Sequence, residues 1–280
     1  MKKILITGAN SFIGCSFDAY MKKFSNEYIV DTIDLLDPDW LSSDFSSYDA
    51  IVHVAGIAHQ KETKHNAHIY YQINCELAVQ TAKKAKDAGV KHFVFFSTMS
   101  VYGKNKGKIT LDTKPKPNTH YGRSKLMAEK ELQKLQDDSF NVSVIRPPMV
   151  YGKNCKGNFP KLLHLIKVLP VFPKINNVRS MIYIEHLSVF IKMIIDRCEP
   201  GVFFPQNKNY VSTLNLAQIV SVLTKRKIFF SYLLGIFVFV SRPFVRVLSK
   251  AFCNLQYIDT GKHSYEYSIY DFDETISRSI

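Results

Sequence analysis

The chain opens on an apolar run, "KILITG", long enough for one strand, and then changes period. Ile13, Phe17, Met21 and Phe24 follow at helical spacing, which predicts an amphipathic helix with one buried face. The alternation continues downstream. "YIVDTID" and "AIVHVAG" read as strands, "INCELAVQTAKKAKDAG" as a helix and "KHFVFFST" as a strand. "YGRSKLMAEKELQKLQ" then reads as a helix and "NVSVIRPPMV" as a strand. Short β-rich runs separated by helical patterns predict parallel strands joined by crossover helices. Beyond Tyr151 the alternation loosens, and prolines cluster at Pro160, Pro170 and Pro173. The expected fold is α/β: a doubly wound parallel sheet over residues 1–150 and a small, less regular C-terminal lobe over 151–280. Some segments of that lobe are expected to return to the first domain.

Composition adds bounds. With 280 residues, 46% hydrophobic and 22% charged, the chain resembles a soluble globular protein with a large core. Its five cysteines are scattered and form no CxxC, which argues against a disulfide framework or a zinc site and for a reducing, cytoplasmic compartment. No metal site is expected. The N-terminal apolar run breaks after Ile6, too soon for a signal-peptide core, so it is read as a strand. A net charge of +13 could steer the protein to nucleic acid, an anionic membrane or a phosphorylated substrate. No zinc-finger spacing or RNP-like aromatic run accompanies it, so nucleic acid is not an expected partner.

The segment from Lys225 to Phe252 stands apart. Its apolar stretch, Ile228 to Val240, is 13 residues long, and a helix needs about 20 to cross a bilayer. Two readings stay open. Phe229, Leu233, Phe237 and Val240 recur at near-helical spacing and could be lobe core. Alternatively Lys225, Arg226, Lys227, Arg242, Arg246 and Lys250 could hold an interfacial segment against anionic lipid.

Candidate chemistry begins at "ILITGANSFIG", a glycine-rich loop between a strand and a helix. In that context the loop can cradle a pyrophosphate. Gly8 permits the tight turn and Gly14 close helix–strand packing. The N–H groups of the intervening residues, Asn10, Ser11, Phe12 and Ile13, open the helix and face the phosphates. Ser11 stands where a middle glycine is expected, and its Cβ narrows the approach. A second feature is "THYGRSK", which sets Tyr121 and Lys125 one helical turn apart on one face.

TGxxGxxG at the N-terminus, "HVAG", "STMSVYG" and YxxxK, in that order over nearly the whole chain, resemble the extended short-chain dehydrogenase/reductase family. These are the NAD(P)-dependent epimerases, dehydratases and reductases of sugar nucleotides. The resemblance implies a Rossmann sheet with a substrate lobe, and it implies roles. Tyr121 would be the acid/base at a sugar hydroxyl or ketone. Lys125 would hold the nicotinamide ribose and favour the phenolate, since a free phenol titrates near 10. The family's third catalytic hydroxyl falls on Thr98, with Ser97 just before it. Ala55 and Gly56 of "HVAG" would line the cofactor. The dehydratases follow their hydroxyl with Asp-Glu, and here Met99 and Ser100 stand there, so a dehydratase is not expected.

Asp34 lies 20 residues after Gly14 and would take the adenosine ribose hydroxyls, with Asp31 and Asp37 as alternatives. No arginine is near for a 2′-phosphate, so NAD(H) is favoured over NADP(H). About 15 residues separate Asp34 from "AIVHVAG", so the usual helix and third strand must be shortened or lost. "RPPMVYGKNCKGNFPKL" with "NVRSMIYIEHLSVFI" resembles a subgroup acting at carbon 4 of UDP-linked N-acetylamino sugars in bacterial polysaccharide synthesis. That resemblance puts Pro147 near the nicotinamide, Asn158 at the uridine diphosphate and Arg179 at the diphosphate, where a guanidinium fork suits phosphate oxygens. The expected function is reduction of a UDP-4-keto-6-deoxy-N-acetylhexosamine at carbon 4. A UDP-hexose or UDP-N-acetylhexosamine 4-epimerase is the alternative, and a catalytically silent dinucleotide-binding protein the third reading. The expected setting is a cytoplasmic homodimer with peripheral membrane contact.

Overall fold

The computed structural model describes residues 1–8, 10–58, 60, 62–63, 65–258 and 266–280, with the backbone alone for Arg246. The chain forms two compact units. The first takes Met1–Gly103, Pro115–Pro147 and Leu187–Pro205, and the second takes Lys104–Lys114, Pro148–His186 and Gln206–Ile280.

In the first unit six strands, numbered along the chain, form one parallel sheet. They are β1 (Lys2–Thr7), β2 (Tyr28–Ile33), β3 (Ala50–His53), β4 (His92–Phe96), β6 (Asn141–Ile145) and β10 (Gly201–Phe203), in the order β10-β6-β4-β3-β1-β2. Strand β1 is the pivot: Ile4 pairs with Val30 of β2 on one side and Ala50 of β3 on the other. Helices α1 (Phe12–Met21), α2 (Ala67–Tyr71), α3 (Leu77–Asp87) and α4 (His120–Leu135) lie between the strands, and α6 (Ile184–Arg197) enters this unit from Leu187. One sheet face buries Leu5, Ile51, Phe93, Phe95, Val142 and Val144 against Ala78, Ala82 and Ala85 of α3 and Ala128 and Leu132 of α4. Alanines at i, i+4 and i+7 let α3 approach the sheet closely. Alternate strand residues point to the opposite face, where Phe190 of α6 meets Phe203 of β10 edge to face, ring centroids 5.9 Å apart. The sheet is a doubly wound Rossmann sheet.

Two departures from the expected elements have clear causes. The predicted strand "NVSVIRPPMV" splits at Pro147 and Pro148: β6 stops at Ile145, and Met149–Tyr151 becomes a separate strand, β7, in the second unit. Neither proline has an N–H for a ladder bond. The helix predicted from Ile73 starts earlier, because α2 runs into α3 through a π turn over Gln72–Glu76 that buries Asn74 completely. The shortening after Asp34 is as expected. A 3₁₀ turn over Pro38–Leu41 replaces a helix and strand, and its Trp40 packs into the core, leaving β2 at the sheet edge.

The second unit holds three parallel pairs. β5 (Gly107–Ile109) pairs with β12 (Leu255–Tyr257), β7 with β9 (Met181–Tyr183), and β8 (Val171–Pro173) with β11 (Phe229–Ser231). Its helices include α5 (Asn158–Val168), α7 (Thr213–Leu223), α8 (Tyr232–Ser241), α9 (Arg246–Phe252) and α10 (Phe272–Ser277). Tyr151 centres its core, its ring tilted against Phe159 with centroids 4.9 Å apart and its hydroxyl held by Thr275 and Asn207. The core reading of residues 225–252 fails for the four residues it named, although Phe252 packs against Phe172 in the core. In α8 Gly235 and Val238 are buried, while Leu233, Phe237 and Val240 face water, as does Phe229 of β11.

Candidate active site

The loop after β1 is shaped by what its small residues exclude. Gly8 takes φ +84°, in the left-handed region, and a Cβ there would sit 2.8 Å from the Ala55 amide nitrogen. The ends of β1 and β3 therefore pass in backbone contact, which brings "HVAG" beside the glycine loop. Ser11 explains its own presence. It is the N-cap of α1, in extended geometry, and its Oγ accepts a hydrogen bond from Gly14 N at 3.0 Å. A cap satisfies one orphan donor of the first turn, and here no left-handed backbone is required. Gly14 is confined in turn, since a Cβ would lie 2.8 Å from Ser11 Oγ and 2.9 Å from the Gly8 carbonyl oxygen. Phe12 and Ile13 open α1, so their amides have no intrahelical acceptor. That is an anion-binding arrangement.

Of the three acidic candidates at the end of β2, two are engaged elsewhere. Asp31 accepts from the Tyr48 hydroxyl at 2.9 Å and faces Lys3, and Asp37 caps the 3₁₀ turn through Asp39 N. Asp34 is exposed at the strand end and bonds Leu36 N at 3.0 Å. The neighbouring Ile33 carbonyl accepts from Gly8 N at 3.1 Å, so Asp34 sits next to the glycine loop.

The catalytic candidates converge at the end of β4 and the first turns of α4. Thr119 caps α4 through Gly122 N at 3.0 Å. Glu62 adds a second cap: its two carboxylate oxygens accept from the amides of His120 and Tyr121, each at 3.0 Å. A carboxylate at a helix N-terminus is favoured by the dipole, and this one fixes the backbone that carries Tyr121. The Thr98 hydroxyl lies beside the Tyr121 phenol. Burial pushes that phenol above tyrosine's ordinary value, and Thr98 works against the rise.

Lys125 is buried, its ammonium 4.6 Å from the Phe95 ring centroid. Burial drives its pKa down to about 7, with Glu129, one turn further on, opposing the fall. Desolvation is the first cause at both residues, raising the phenol and lowering the ammonium. Gly56 completes the group, because a Cβ there would lie 2.7 Å from Asn74 Oδ1 and 3.2 Å from Lys125 Nζ.

Ser97 and Thr98, adjacent in sequence, have separate roles. The Ser97 hydroxyl donates to Glu129, which also pairs with Arg146 through Nε at 3.0 Å and Nη2 at 2.5 Å. Arg146 Nη1 reaches the Tyr102 hydroxyl at 2.6 Å. This buried network ties β4, α4 and β6 together beneath the site, while Thr98 faces Tyr121. Pro147 is buried beside it, its carbonyl accepting from Met99 N at 3.1 Å. The remaining candidates belong to the second unit. Asn158 is exposed at the first residue of α5. Arg179 is half-buried, its backbone bridging Val211 and Leu255, and its Nη1 donates to the Cys253 carbonyl at 2.8 Å.

A family model matches residues 4–203: the NAD dependent epimerase/dehydratase family. The chain belongs to this family, among the extended short-chain dehydrogenases/reductases. It is 30% identical over 247 residues to a UDP-glucose 4-epimerase of Vibrio cholerae, covering 79% of this chain and 75% of that one. It is 27% identical over 239 residues to the N-acetyl-α-D-glucosaminyl-diphospho-ditrans,octacis-undecaprenol 4-epimerase of Escherichia coli O157:H7, covering 78% and 70%. The fold matches that of a UDP-glucuronic acid 4-epimerase from Bacillus cereus with a TM-score of 0.75 at 18% identity, over 99% of this chain and 97% of that one.

Sequence reasoning missed three parts of the site. Asn74 donates to the Ile57 carbonyl and Ser124 Oγ and accepts from Ile57 N at 2.9 Å, so it clamps the segment after "HVAG" to α4. Glu129 could have been found as the third member of a Tyr121, Lys125, Glu129 stripe at i, i+4 and i+8. Glu62 carried no signal, because its partners are 58 and 59 residues away.

Proposed function

We propose that this protein is an NAD-dependent 4-epimerase of a hexose carried on a diphosphate. The carrying observation is the Thr98–Tyr121–Lys125 cluster beside a glycine loop, in a chain whose relatives named above are both 4-epimerases. The cofactor fits the residues present. The Phe12 and Ile13 amides would take the pyrophosphate, Asp34 the adenosine ribose, and Lys125 with Gly56 and Pro147 the nicotinamide end. A bound nicotinamide supplies hydride exchange with carbon 4. Tyr121 holds the proton of the 4-hydroxyl and returns it, and Thr98 orients that hydroxyl. Lys125, titrating near neutrality, sets the charge next to the phenol.

The second unit is proposed as the substrate lobe, with Asn158 and Arg179 on the diphosphate. The diphosphate's other substituent is uridine or a polyprenol, the two carriers in the names of the relatives. Cytoplasmic residence, homodimerisation and peripheral membrane contact belong to the same proposal. Reduction of a UDP-4-keto-6-deoxy-N-acetylhexosamine is the second reading. It uses the same residues and is favoured by the segments 146–162 and 177–191, which resemble the amino-sugar subgroup.

The test is direct. Purified protein is incubated with UDP-glucose, UDP-N-acetylglucosamine and undecaprenyl-diphosphate-linked N-acetylglucosamine, and the galacto product is followed by NMR. Epimerisation of one of them, abolished in Tyr121→Phe, supports the proposal. Net consumption of NADH with a 4-keto sugar, without epimerisation, supports the reductase. Turnover unaffected by Tyr121→Phe overturns both.

A further inference from the structure

We propose that α8 and its flanks, residues 228–247, form a docking surface for an anionic bilayer and lie in the membrane plane. An ordinary surface helix turns its apolar stripe inward and its polar face to water. Helix α8 does otherwise. Its inner face is narrow and consists of Gly235 and Val238, where a Cβ on Gly235 would sit 2.8 Å from the Lys174 carbonyl oxygen. That absence of a side chain lets the helix rest directly on the backbone that follows β8. The outer face carries Leu233, Ile236, Phe237 and Val240, and the flanks add Phe229 and Phe244. Leu233 is 80% exposed and Phe244 87%, so each buries little area on folding. A contiguous exposed patch of this kind marks an interaction site.

Charge identifies the occupant. From Pro200 to Ile258 the chain has no Asp or Glu and seven Lys or Arg. The cations border the apolar face. The Arg242 guanidinium stacks 3.9 Å from the Phe239 ring centroid, and Lys174 Nζ lies 4.1 Å from that of Tyr232. Among the described residues no carboxylate pairs with Lys225, Arg226, Lys227 or Arg242. An apolar face bordered by cations matches the acyl boundary and anionic headgroups of a bilayer. A second copy of the chain fits less well, since isologous pairing would set like charges against each other. Helix α8 spans ten residues, about 15 Å at 1.5 Å per residue, and among the described residues no helix is long and apolar enough to cross. It rests on the surface.

The experiment is co-sedimentation of the full chain with phosphatidylcholine vesicles, with and without phosphatidylglycerol. Wild type is expected to bind the anionic vesicles at low salt and to be released by added salt. Leu233→Glu/Phe237→Glu is expected to lose binding while keeping its melting temperature. Lys225→Gln/Lys227→Gln is expected to weaken partition by roughly 25-fold, about fivefold per charge. Phe237→Trp keeps the surface apolar and is expected to shift its emission to the blue when anionic vesicles are added. Absence of binding at low salt overturns the proposal, as does equal binding by the double glutamate variant. A wild-type dimer that Leu233→Glu/Phe237→Glu converts to monomer, without vesicle binding, assigns the patch to a second copy and also overturns it. Vesicle binding is read without turnover, so its failure is separable from a failure of the enzymatic proposal.

Discussion

Lys125→Met tests the electrostatics of the site through stability rather than activity. Lys125 is 4% exposed, and burial brings its pKa from 10.5 to about 7. Between those values the unfolded chain keeps a proton that the folded protein sheds, so stability rises with pH across the window 7 to 10.5. The full difference corresponds to about 5 kcal/mol of penalty, developed below pH 7, and about 2 kcal/mol of it is relieved between pH 7 and pH 9. Methionine has a similar length and no charge, so it removes the titration. Urea unfolding at pH 7 and pH 9 is the assay, with the slope checked for constancy between proteins. The variant should be more stable than wild type at pH 7, and that advantage should shrink by about 2 kcal/mol at pH 9. The buried thiols of Cys75 and Cys155, raised by burial, also affect stability in this window, but they are common to both proteins and cancel in the difference to first order. His53 and His92 are drawn down to about 3 and about 4, and Tyr121 is pushed above its ordinary value of 10. A gap that does not change between the two pH values would mean that Lys125 stays fully charged in the fold, and the account of the site would be wrong.

Three further changes probe neighbouring features. Tyr121→Phe should lower turnover by at least about 100-fold while leaving dinucleotide binding nearly intact, as expected for loss of a general acid–base group; steady-state kinetics and calorimetry measure the two. Ser11→Ala should cost about 1 kcal/mol through the lost cap of α1, and Ser11→Gly only a few tenths. Dinucleotide affinity in Ser11→Gly should be kept or improved, and a large loss by calorimetry would reveal a hydroxyl contact with the cofactor. Arg146→Met should destabilise by about 3–5 kcal/mol, because Glu129 is left buried without its partner. Glu129→Leu with Arg146→Met should recover most of that loss in thermal melts.

Much of the first unit was legible because local and global preferences agree there. Strands β1, β3 and β4 are mainly buried runs, and α3 and α4 carry clean helical stripes, so period alone assigns them. The glycine loop was legible for a different reason: Gly8 and Gly14 sit where backbone approach forbids a Cβ. Ser11 looked like a defect by the same logic, yet its hydroxyl supplies the cap that the loop uses. What escaped were partners distant in sequence. Glu62 reaches the amides of His120 and Tyr121 only after the loop following β3 folds back, and the Glu129–Arg146 pair forms only once α4 lies over β6. The split at Pro147 and Pro148 was visible as two prolines, but not as a boundary between units.

Residues 225–252 show the limit of periodicity most clearly. Phe229, Leu233, Phe237 and Val240 fall on a helical stripe whether that stripe meets a core or a membrane, because spacing records which residues share a face and not what the face touches. The structure separates the cases through Gly235. With no side chain there, α8 is pinned at Gly235 and Val238, and Leu233, Ile236, Phe237, Phe239 and Val240 turn outward. Side chains with that exposure add little to folding, so the fold does not require their apolar character. A run of large apolar residues that the fold does not need, bordered by Lys225, Arg226, Lys227 and Arg242 without carboxylate partners among the described residues, has to be explained by what it binds.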